Sequence, residues 1–220
     1  HSKWTEWPRL ISDRAISLIK SFFSGYPYYA EKYSSTRIDK TILDVIQTVK
    51  PDVIHVEYLQ MSLLLKAICQ VKNNTGFKVP NLLIGTHELG SLPRQRRLQK
   101  ARNPLIHTIL RLQVKAWRKL QLDVTSWANH TLCVTDQDRD LLVADGGKNC
   151  RTIPLGIDTD LIKPVWEQNN SKDLLFIGSF EHPPNRTCAK FLIDKIWPFV
   201  TSYRNEGSLT IVGRGSEQFL

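Results

Sequence analysis

The chain has 220 residues, 41% of them hydrophobic, and its 30 lysines and arginines outnumber 21 aspartates and glutamates to give a formal net charge of +9. This length and composition suffice for one large or two modest domains and exclude a low-complexity or disordered chain. The longest apolar runs are too short to span a bilayer and no signal-peptide pattern is visible, so we expect a cytoplasmic protein.

The first part of the chain alternates between helical and extended patterns. Residues 1–36 are rich in aromatic side chains, and "PRLISDRAISLIKSFF" within them has helical spacing. The segment "STRIDKTILDVIQTVK" follows as an amphipathic helix that ends before Pro51. The next segments are predicted as a strand in "DVIHVEYL", a helix in "MSLLLKAICQVK" and a strand in "NLLIGTHEL".

The positive charge of the chain is concentrated between residues 89 and 122, where there is no acidic residue. The basic residues of this segment are Arg94, Arg96, Arg97, Lys100, Arg102, Arg111, Lys115, Arg118 and Lys119. Without these nine, the remaining 21 basic residues equal the 21 acidic ones. Such a segment is typical of a surface that meets an anionic partner.

A helix is predicted from about residue 104 to 122, and it has two chemically different faces. The cationic face carries Arg111, Lys115, Arg118 and Lys119, and the other carries Leu105, Ile109, Leu112, Ala116 and Leu120. We expect the apolar stripe to pack on the sheet and the cationic face to point outward. That outer face suits anionic lipid headgroups, although a merely solvated face explains it nearly as well. No recognised motif or aromatic–basic interleaving supports nucleic-acid binding.

The alternation continues to the end of the chain. Short strands are predicted in "HTLCVT", "CRTIPLG", "DLLFIGSF" and "SLTIVG", with helices in "DQDRDLLVADG" and "PNRTCAKFLIDKIWPFV". Strands that are apolar throughout and alternate with helices predict an α/β protein with parallel sheets. The polar spacer "WEQNNSK" places the domain boundary between residues 165 and 166.

Two strand–glycine turns near the end of the chain are candidate phosphate sites. Gly178 follows the strand "DLLFI" just before the helix that Pro184 opens, and Gly213 with Arg214 follows "LTIV". Ligands of open α/β sheets bind beyond the carboxyl ends of strands, where helix N-termini present free N–H groups. A tight turn that binds nothing explains a single glycine equally well. The spacings of the dinucleotide-binding and P-loop motifs are absent from these turns.

His87 and Glu88 stand at the end of the strand "NLLIGTH", where a ligand of a parallel sheet would sit. A histidine there is suited to act as acid, base or hydrogen-bond donor to a sugar hydroxyl. By position alone, a histidine satisfied by backbone groups is the better interpretation. His55 and Glu57 on the preceding strand are weaker candidates, and we expect both to be set in the packed sheet.

Metal sites are not indicated by the sequence. The D-x-D matches Asp136/Asp138 and Asp138/Asp140 fall in a helix start capped by Thr135, and Asp158/Asp160 falls in a turn-rich segment, so structural roles are favoured. The four cysteines contain no CxxC pair, and we interpret them as reduced thiols.

Several segments, taken in order, resemble one enzyme family. They are "PDVIHVEYLQM", "NLLIGTHEL", "ANHTLCVTDQDRDLLVADGGKNCRTIPLGIDTDLIKP", "LLFIGSFEHPPNRTCAKFLIDKIWPFV" and "LTIVGRG". Together they are similar to glycosyltransferase family 4 and its relatives over roughly residues 40–220. The resemblance implies a GT-B fold, in which residues 1–165 are an acceptor-side Rossmann-like domain and 166–220 begin a nucleotide-sugar-binding domain.

The resemblance also implies an activity and site residues. Such enzymes transfer a sugar from a nucleotide-sugar to an acceptor, with retention of configuration and usually without a metal or other cofactor. His87 matches a cleft histidine of the family. The donor diphosphate would lie near Gly178 and Ser179, with Gly213 and Arg214 nearby and Arg186 as the substitute for basic residues of relatives. Glu88 and the four cations of the basic helix would face a glycan or lipid-linked acceptor, with peripheral contact at the inner face of an anionic membrane.

Two alternatives to the transferase are open. One is a nucleotide-sugar epimerase or a non-catalytic sugar-nucleotide binder of the same fold, and the other is a basic membrane-docking module.

The chain begins at His1, has Met61 as its single methionine, and lacks the paired-glutamate signature that lies later in the family. We therefore expect a fragment, incomplete at both ends and inactive by itself.

Overall fold

Helices and parallel strands alternate along the chain, as the sequence predicts. The computed structural model describes residues 7–75, 80–163, 172–203 and 206–219, and separates the chain into two units, residues 1–156 and 157–220. Each unit has its own parallel sheet. The α/β class is therefore confirmed, and it is compatible with a Rossmann-like fold. The predicted boundary between 165 and 166 lies outside the described residues.

Among its described residues, the first unit begins with three helices and continues with four strands and four further helices. They are α1 (Trp7–Ser24), α2 (Tyr28–Lys32), α3 (Thr36–Val49), β1 (Val53–Glu57), α4 (Leu63–Thr75), β2 (Asn81–Gly85), α5 (Ser91–Lys100), α6 (Pro104–Trp127), β3 (His130–Cys133), α7 (Asp136–Ala144) and β4 (Cys150–Thr152). A single 3-10 turn, Leu59–Met61, connects β1 to α4.

Short polar side chains define where the helices begin. Asn103 Oδ1 accepts from the N–H groups of Leu105 and Ile106 before Pro104 opens α6. Thr135 Oγ1 accepts from Asp138 N at 3.1 Å, which confirms the predicted cap of α7. Each cap pairs backbone N–H groups that have no partner within the helix.

The four strands of the first unit lie in chain order, β1-β2-β3-β4, and every pair is parallel. Glu57 is in register with Gly85, and Gly85 with Leu132. The carboxyl ends of the first three strands therefore meet along one edge of the sheet. Side chains of the residues just beyond those ends are placed within reach of one another.

Helix α6 packs with a different face from the one predicted. Its buried side chains include Leu110, Val114, Trp117, Gln121 and Val124, whose spacing places them on one face, whereas Leu105, Ile109 and Leu112 are exposed. The prediction was correct for Leu120 but wrong for these three residues. In the first half of α6, apolar side chains occupy a sector wider than a single stripe, so periodicity alone does not determine which of them are buried. The large indole of Trp117 and its neighbours, which join the core with Leu65 and Ile84, decide it.

The second unit has a two-stranded parallel sheet of β5 (Leu174–Ile177) and β6 (Leu209–Val212). Helices α8 (Pro183–Phe191) and α9 (Trp197–Tyr203) are joined by a π-helical turn at Leu192–Ile196, and α10 (Ser216–Phe219) follows β6. Within the described parts of the chain, no helix is long and apolar enough to cross a bilayer.

Candidate functional site

A carboxylate and two imidazoles meet at the carboxyl edge of the first sheet. Glu57 is the last residue of β1, and His87 lies two residues beyond the end of β2. The Nε2 atom of His87 is 2.6 Å from Glu57 Oε2, and the Nε2 atom of His55 is 3.3 Å from Glu57 Oε1. The parallel register of β1 and β2 brings together residues that are 30 positions apart in sequence.

All three side chains are accessible to a ligand. The side chains are 49% exposed at Glu57, 41% at His55 and 35% at His87. The prediction that His55 and Glu57 are set in the packed sheet is therefore wrong. Alternate residues of β1, beginning with Val53, point to a face that the described residues leave open, while Val56 points into the core.

Gly85 makes room for this cluster. A Cβ atom at Gly85 would lie 2.4 Å from Glu57 Oε2 and 3.3 Å from His55 Nε2. Real Cβ atoms do not approach an oxygen so closely, so only glycine lets the carboxylate lie over the end of β2. The position of Glu57 against His87 depends on this missing side chain.

The backbone at the edge holds two non-glycine residues in the left-handed region. Tyr58 has φ 70° and His87 has φ 52°. The Tyr58 ring stacks on the His87 ring with centroids 4.2 Å apart and planes inclined by 17°. Tyr58 N also donates to the carbonyl of Gly85 at 2.9 Å. Backbone strain of this kind persists only where the surroundings enforce it, and it is concentrated at functional sites.

The cluster has the geometry of an oriented acid–base group. When His87 Nε2 donates to Glu57, the carboxylate fixes the orientation of the ring, and Nδ1 remains to interact with a substrate hydroxyl. The Tyr58 ring covers one face of the imidazole and restricts its rotation. The arrangement suits proton transfer or a hydrogen bond to a polar ligand at the sheet edge.

Contacts between α5 and α6 anchor the segment that follows His87. Ser91 N donates to the buried Gln121 Oε1 at 3.0 Å, and Gly90 lies so close to Trp117 that a Cβ would overlap the indole. The guanidinium of Arg94 stacks 4.5 Å from the Trp117 ring and donates to the Gly90 carbonyl at 2.7 Å. Burial lowers the pKa of Arg94. These contacts fix the start of α5, while the neighbouring Glu88 stays exposed.

The four cations predicted on the outer face of α6 differ in their surroundings. Arg111 and Lys115 are exposed, and within the described residues no carboxylate forms an ion pair with either. Arg118 pairs with Asp145 at 3.4 Å. The Nζ of Lys119 donates to the Ser24 carbonyl at 2.9 Å and lies 3.7 Å from the centre of the Tyr26 ring. Only the first two are therefore open to an external anion.

In the second unit, the structure brings the two predicted glycine turns together. Gly178 N donates to the carbonyl of Val212 at 3.0 Å, and Phe180 N donates to that of Arg214 at 2.8 Å. Gly213 has φ +152°, and a Cβ there would lie 1.9 Å from the Gly178 carbonyl oxygen. The missing side chain of Gly213 therefore allows the close approach of the two turns.

The N-terminus of α8 lacks the free backbone N–H groups that would bind an anion. Pro183 and Pro184 carry no N–H, and the N–H groups of Asn185 and Arg186 donate to the His182 carbonyl. Residues 183–186 therefore present no free backbone N–H group, because the first two are prolines and the next two donate to the His182 carbonyl. The remaining predicted donor-site groups are the exposed side chains of Ser179 and Arg214 and the guanidinium of Arg186.

The guanidinium groups of Arg186 and Arg214 are not equally available. Arg186 Nε donates to the Phe180 carbonyl and holds the turn after β5. Arg214 is 78% exposed, and its guanidinium makes a long contact of 3.5 Å with the Glu181 carboxylate. Arg214 is therefore the better-placed group for an external anion.

The aspartates of the D-x-D matches have structural partners. Asp136 Oδ1 accepts from Arg139 and from Thr152 Oγ1, and Asp158 Oδ1 accepts from the N–H groups of Asp160 and Leu161. The structural interpretation of Asp136 and Asp158 is confirmed. Among the described residues, no group of three or more His, Cys, Asp or Glu side chains is placed to hold a metal ion.

Sequence reasoning missed two residues of the site and gave a third too little weight. Tyr58 and Gly85 carry no motif, since their roles depend on backbone angle and on the space beside Glu57. Glu57 ends one predicted strand and His87 follows the next. Their positions in the sequence therefore indicated that the two side chains lie at the same edge of the sheet. Comparison of the chain with models of protein families and with curated proteins found no match.

Proposed function

We propose that the protein is part of a glycosyltransferase of the GT-B type, which transfers a sugar from a nucleotide-sugar donor to an acceptor. The proposal rests mainly on one observation, the contact of 2.6 Å between His87 and Glu57 at the carboxyl edge of a parallel sheet. The carboxyl edge of a parallel sheet is where α/β proteins bind their ligands, and a solvent-accessible acid–base group there is a candidate catalytic group.

In this proposal His87 contacts the transferring sugar or the acceptor hydroxyl through Nδ1, and Glu57 is a positioning residue that orients the ring. Arg214 and Ser179 face the donor diphosphate, while Gly178, Gly213 and Arg186 shape the turn that presents them. Glu88 lies on the acceptor side. The transfer proceeds with retention of configuration and without a metal ion, as the resemblance to glycosyltransferase family 4 implies.

The first test of the proposal measures ligand binding. Saturation-transfer NMR with a panel of UDP-, GDP- and ADP-hexoses should detect at least one bound donor. Arg214→Ala should weaken that binding about tenfold, since a charge-assisted contact to phosphate is lost. Lys195→Ala, which removes another exposed cation of the second unit, is the matched control and should bind as the wild type does. If the panel shows no binding, the proposal fails.

The second test measures turnover by the full-length protein, with the donor identified and a lipid or glycan extract as acceptor. His87→Ala should lower transfer by about 10² to 10⁴-fold. His107→Ala, which removes an exposed histidine of α6, is the control. A change in the donor sugar without acceptor would instead identify an epimerase of the same fold. Binding without any turnover would identify a non-catalytic sugar-nucleotide binder.

A further inference from the structure

The carboxylate of Glu57 is shared between two histidines. Its Oε2 atom lies 2.6 Å from His87 Nε2, and its Oε1 atom lies 3.3 Å from His55 Nε2. Among the described residues, no other group forms a hydrogen bond or an ion pair with this carboxylate. The orientation of the carboxylate therefore depends on the two imidazoles.

A single contact would leave the Glu57 carboxylate free to turn. The last side-chain torsion of glutamate has broad minima, so a bond to one oxygen does not fix the plane of the group. The Glu57 side chain is also 49% exposed, so water competes for both oxygens. A second contact at Oε1 restricts the torsion and keeps Oε2 directed at His87.

The backbone places His55 where it can supply this second contact. His55 and Glu57 are two residues apart on β1, so their side chains leave the strand on the same face. The missing side chain of Gly85 leaves room for the imidazole as well, since a Cβ there would lie 3.3 Å from His55 Nε2. The His55 side chain is 41% exposed, so its volume contributes little to the core.

We propose that His55 is a positioning residue that acts through Glu57. Its Nε2–H group holds Oε1, and the fixed carboxylate then holds the His87 ring with Nδ1 toward the substrate. The Tyr58 ring covers one face of the His87 ring while Glu57 fixes its edge, so the four side chains form one oriented group. This inference rests on the proposed transferase function, in which His87 contacts the sugar or the acceptor hydroxyl.

Two other roles for His55 make different predictions. If the ring acts only through its volume, leucine should replace it and glutamine should have no special effect. If His55 contacts the substrate itself, its removal should weaken substrate binding without changing the His87 ring of the free protein.

The ¹⁵N NMR spectrum of the histidine rings tests the proposal on the protein without substrate. At alkaline pH, where imidazoles are neutral, wild-type His87 should show one tautomer, protonated at Nε2. His55→Leu should convert this signal toward a mixture of both tautomers. His55→Gln, whose terminal amide also donates a hydrogen bond, should retain the wild-type signal. His107→Leu removes an exposed histidine of α6 and is the control, which should leave the His87 signal unchanged.

A double-mutant cycle shows whether His55 acts through Glu57. Glu57→Gln should shift the His87 signal by itself, and His55→Leu should add nothing in that background. Circular dichroism checks the fold of each variant, and His55→Ala replaces His55→Leu if the leucine variant does not fold.

Three results would overturn the proposal. The first is an unchanged His87 signal in His55→Leu, and the second is a His55→Gln variant that behaves like His55→Leu. The third is an equal effect of His55→Leu with and without the Glu57 carboxylate, because His55 would then reach His87 by another route.

Turnover by the full-length protein separates this inference from the proposed function. With the donor identified, His55→Leu should lower kcat about tenfold and leave KM within about twofold, because the ring that contacts the substrate is misoriented but still present. His55→Gln should recover most of the lost kcat. A raised KM with unchanged kcat would indicate direct substrate contact and contradict the positioning role.

The two failures are distinguishable. If no nucleotide-sugar binds, the proposed function fails, and the His87 spectra still decide whether His55 orients Glu57. If transfer occurs but His55→Leu keeps the wild-type kcat and the wild-type His87 spectrum, only the positioning role fails.

Discussion

Gly85 is the residue on which the geometry of the candidate site depends. Its missing side chain lets Glu57 Oε2 lie where a Cβ atom would otherwise stand, and from there the carboxylate reaches His87. The atom that an added methyl would meet is the far end of a flexible side chain. The cost of a substitution therefore falls on the orientation of Glu57 more than on the fold.

Gly85→Ala should displace the Glu57 carboxylate from His87 while lowering the free energy of unfolding by only about 1 kcal/mol. The expected readout is a changed ¹⁵N chemical shift of the His87 ring together with a nearly unchanged thermal melt. Gly156→Ala is the control, because a Cβ at Gly156 meets nothing within 4 Å. An unchanged His87 spectrum in Gly85→Ala would show that the carboxylate does not orient the ring.

At the scale of elements, the packing of α5 against α6 fixes the segment that follows His87. Trp117 lies against Gly90 and under the guanidinium of Arg94, so one indole joins the start of α5 to the middle of α6. Arg94 therefore acts as a packing residue, although it belongs to the basic segment. Its neighbour Arg97 on the same helix is exposed.

Arg94→Ala should destabilise the first unit by about 1 to 2 kcal/mol, since it removes a partly buried cation–π contact and a hydrogen bond to the Gly90 carbonyl. Arg97→Ala removes the same charge from an exposed site and should stay within about 0.5 kcal/mol of the wild type. Urea unfolding followed by circular dichroism measures both. Equal effects of the two substitutions would mean that charge, and not the contact with Trp117, governs stability here.

At the scale of the whole molecule, the two units are stabilised by separate contacts. The main apolar cluster of the first unit includes Leu65, Ile84 and Leu120. In the second unit, the buried Phe180 and the close approach of Gly178 and Gly213 hold the ends of β5 and β6 together. A change at the glycine contact should therefore stay local.

Gly213→Ala should open the second unit and leave the first intact. The added Cβ overlaps a backbone carbonyl, and the φ of +152° is unfavourable for alanine, so the cost is about 3 kcal/mol. Hydrogen exchange measured by mass spectrometry should show lost protection at β5 and β6 with unchanged protection at β2 and β3. Lost protection in both units would show that they unfold together.

Features that depend on short-range chemistry could be predicted from the amino-acid sequence. The alternation of helices and parallel strands, the cap at Thr135 and the capping role of Asp158 all follow from interactions between residues within one turn or one strand. The position of His87 at the end of a strand was also readable, because strand ends of a parallel sheet share one edge.

Which of these residues meet, and which helix faces are buried, depends on long-range packing. Glu57 and His87 meet because two strands pair in register across 30 residues, and Gly85 leaves them the room. On α6, two apolar stripes competed, and packing around Trp117 buried one and left Leu105, Ile109 and Leu112 exposed. Local patterns do not settle such choices, because burial depends on the shape and volume of partners distant in sequence.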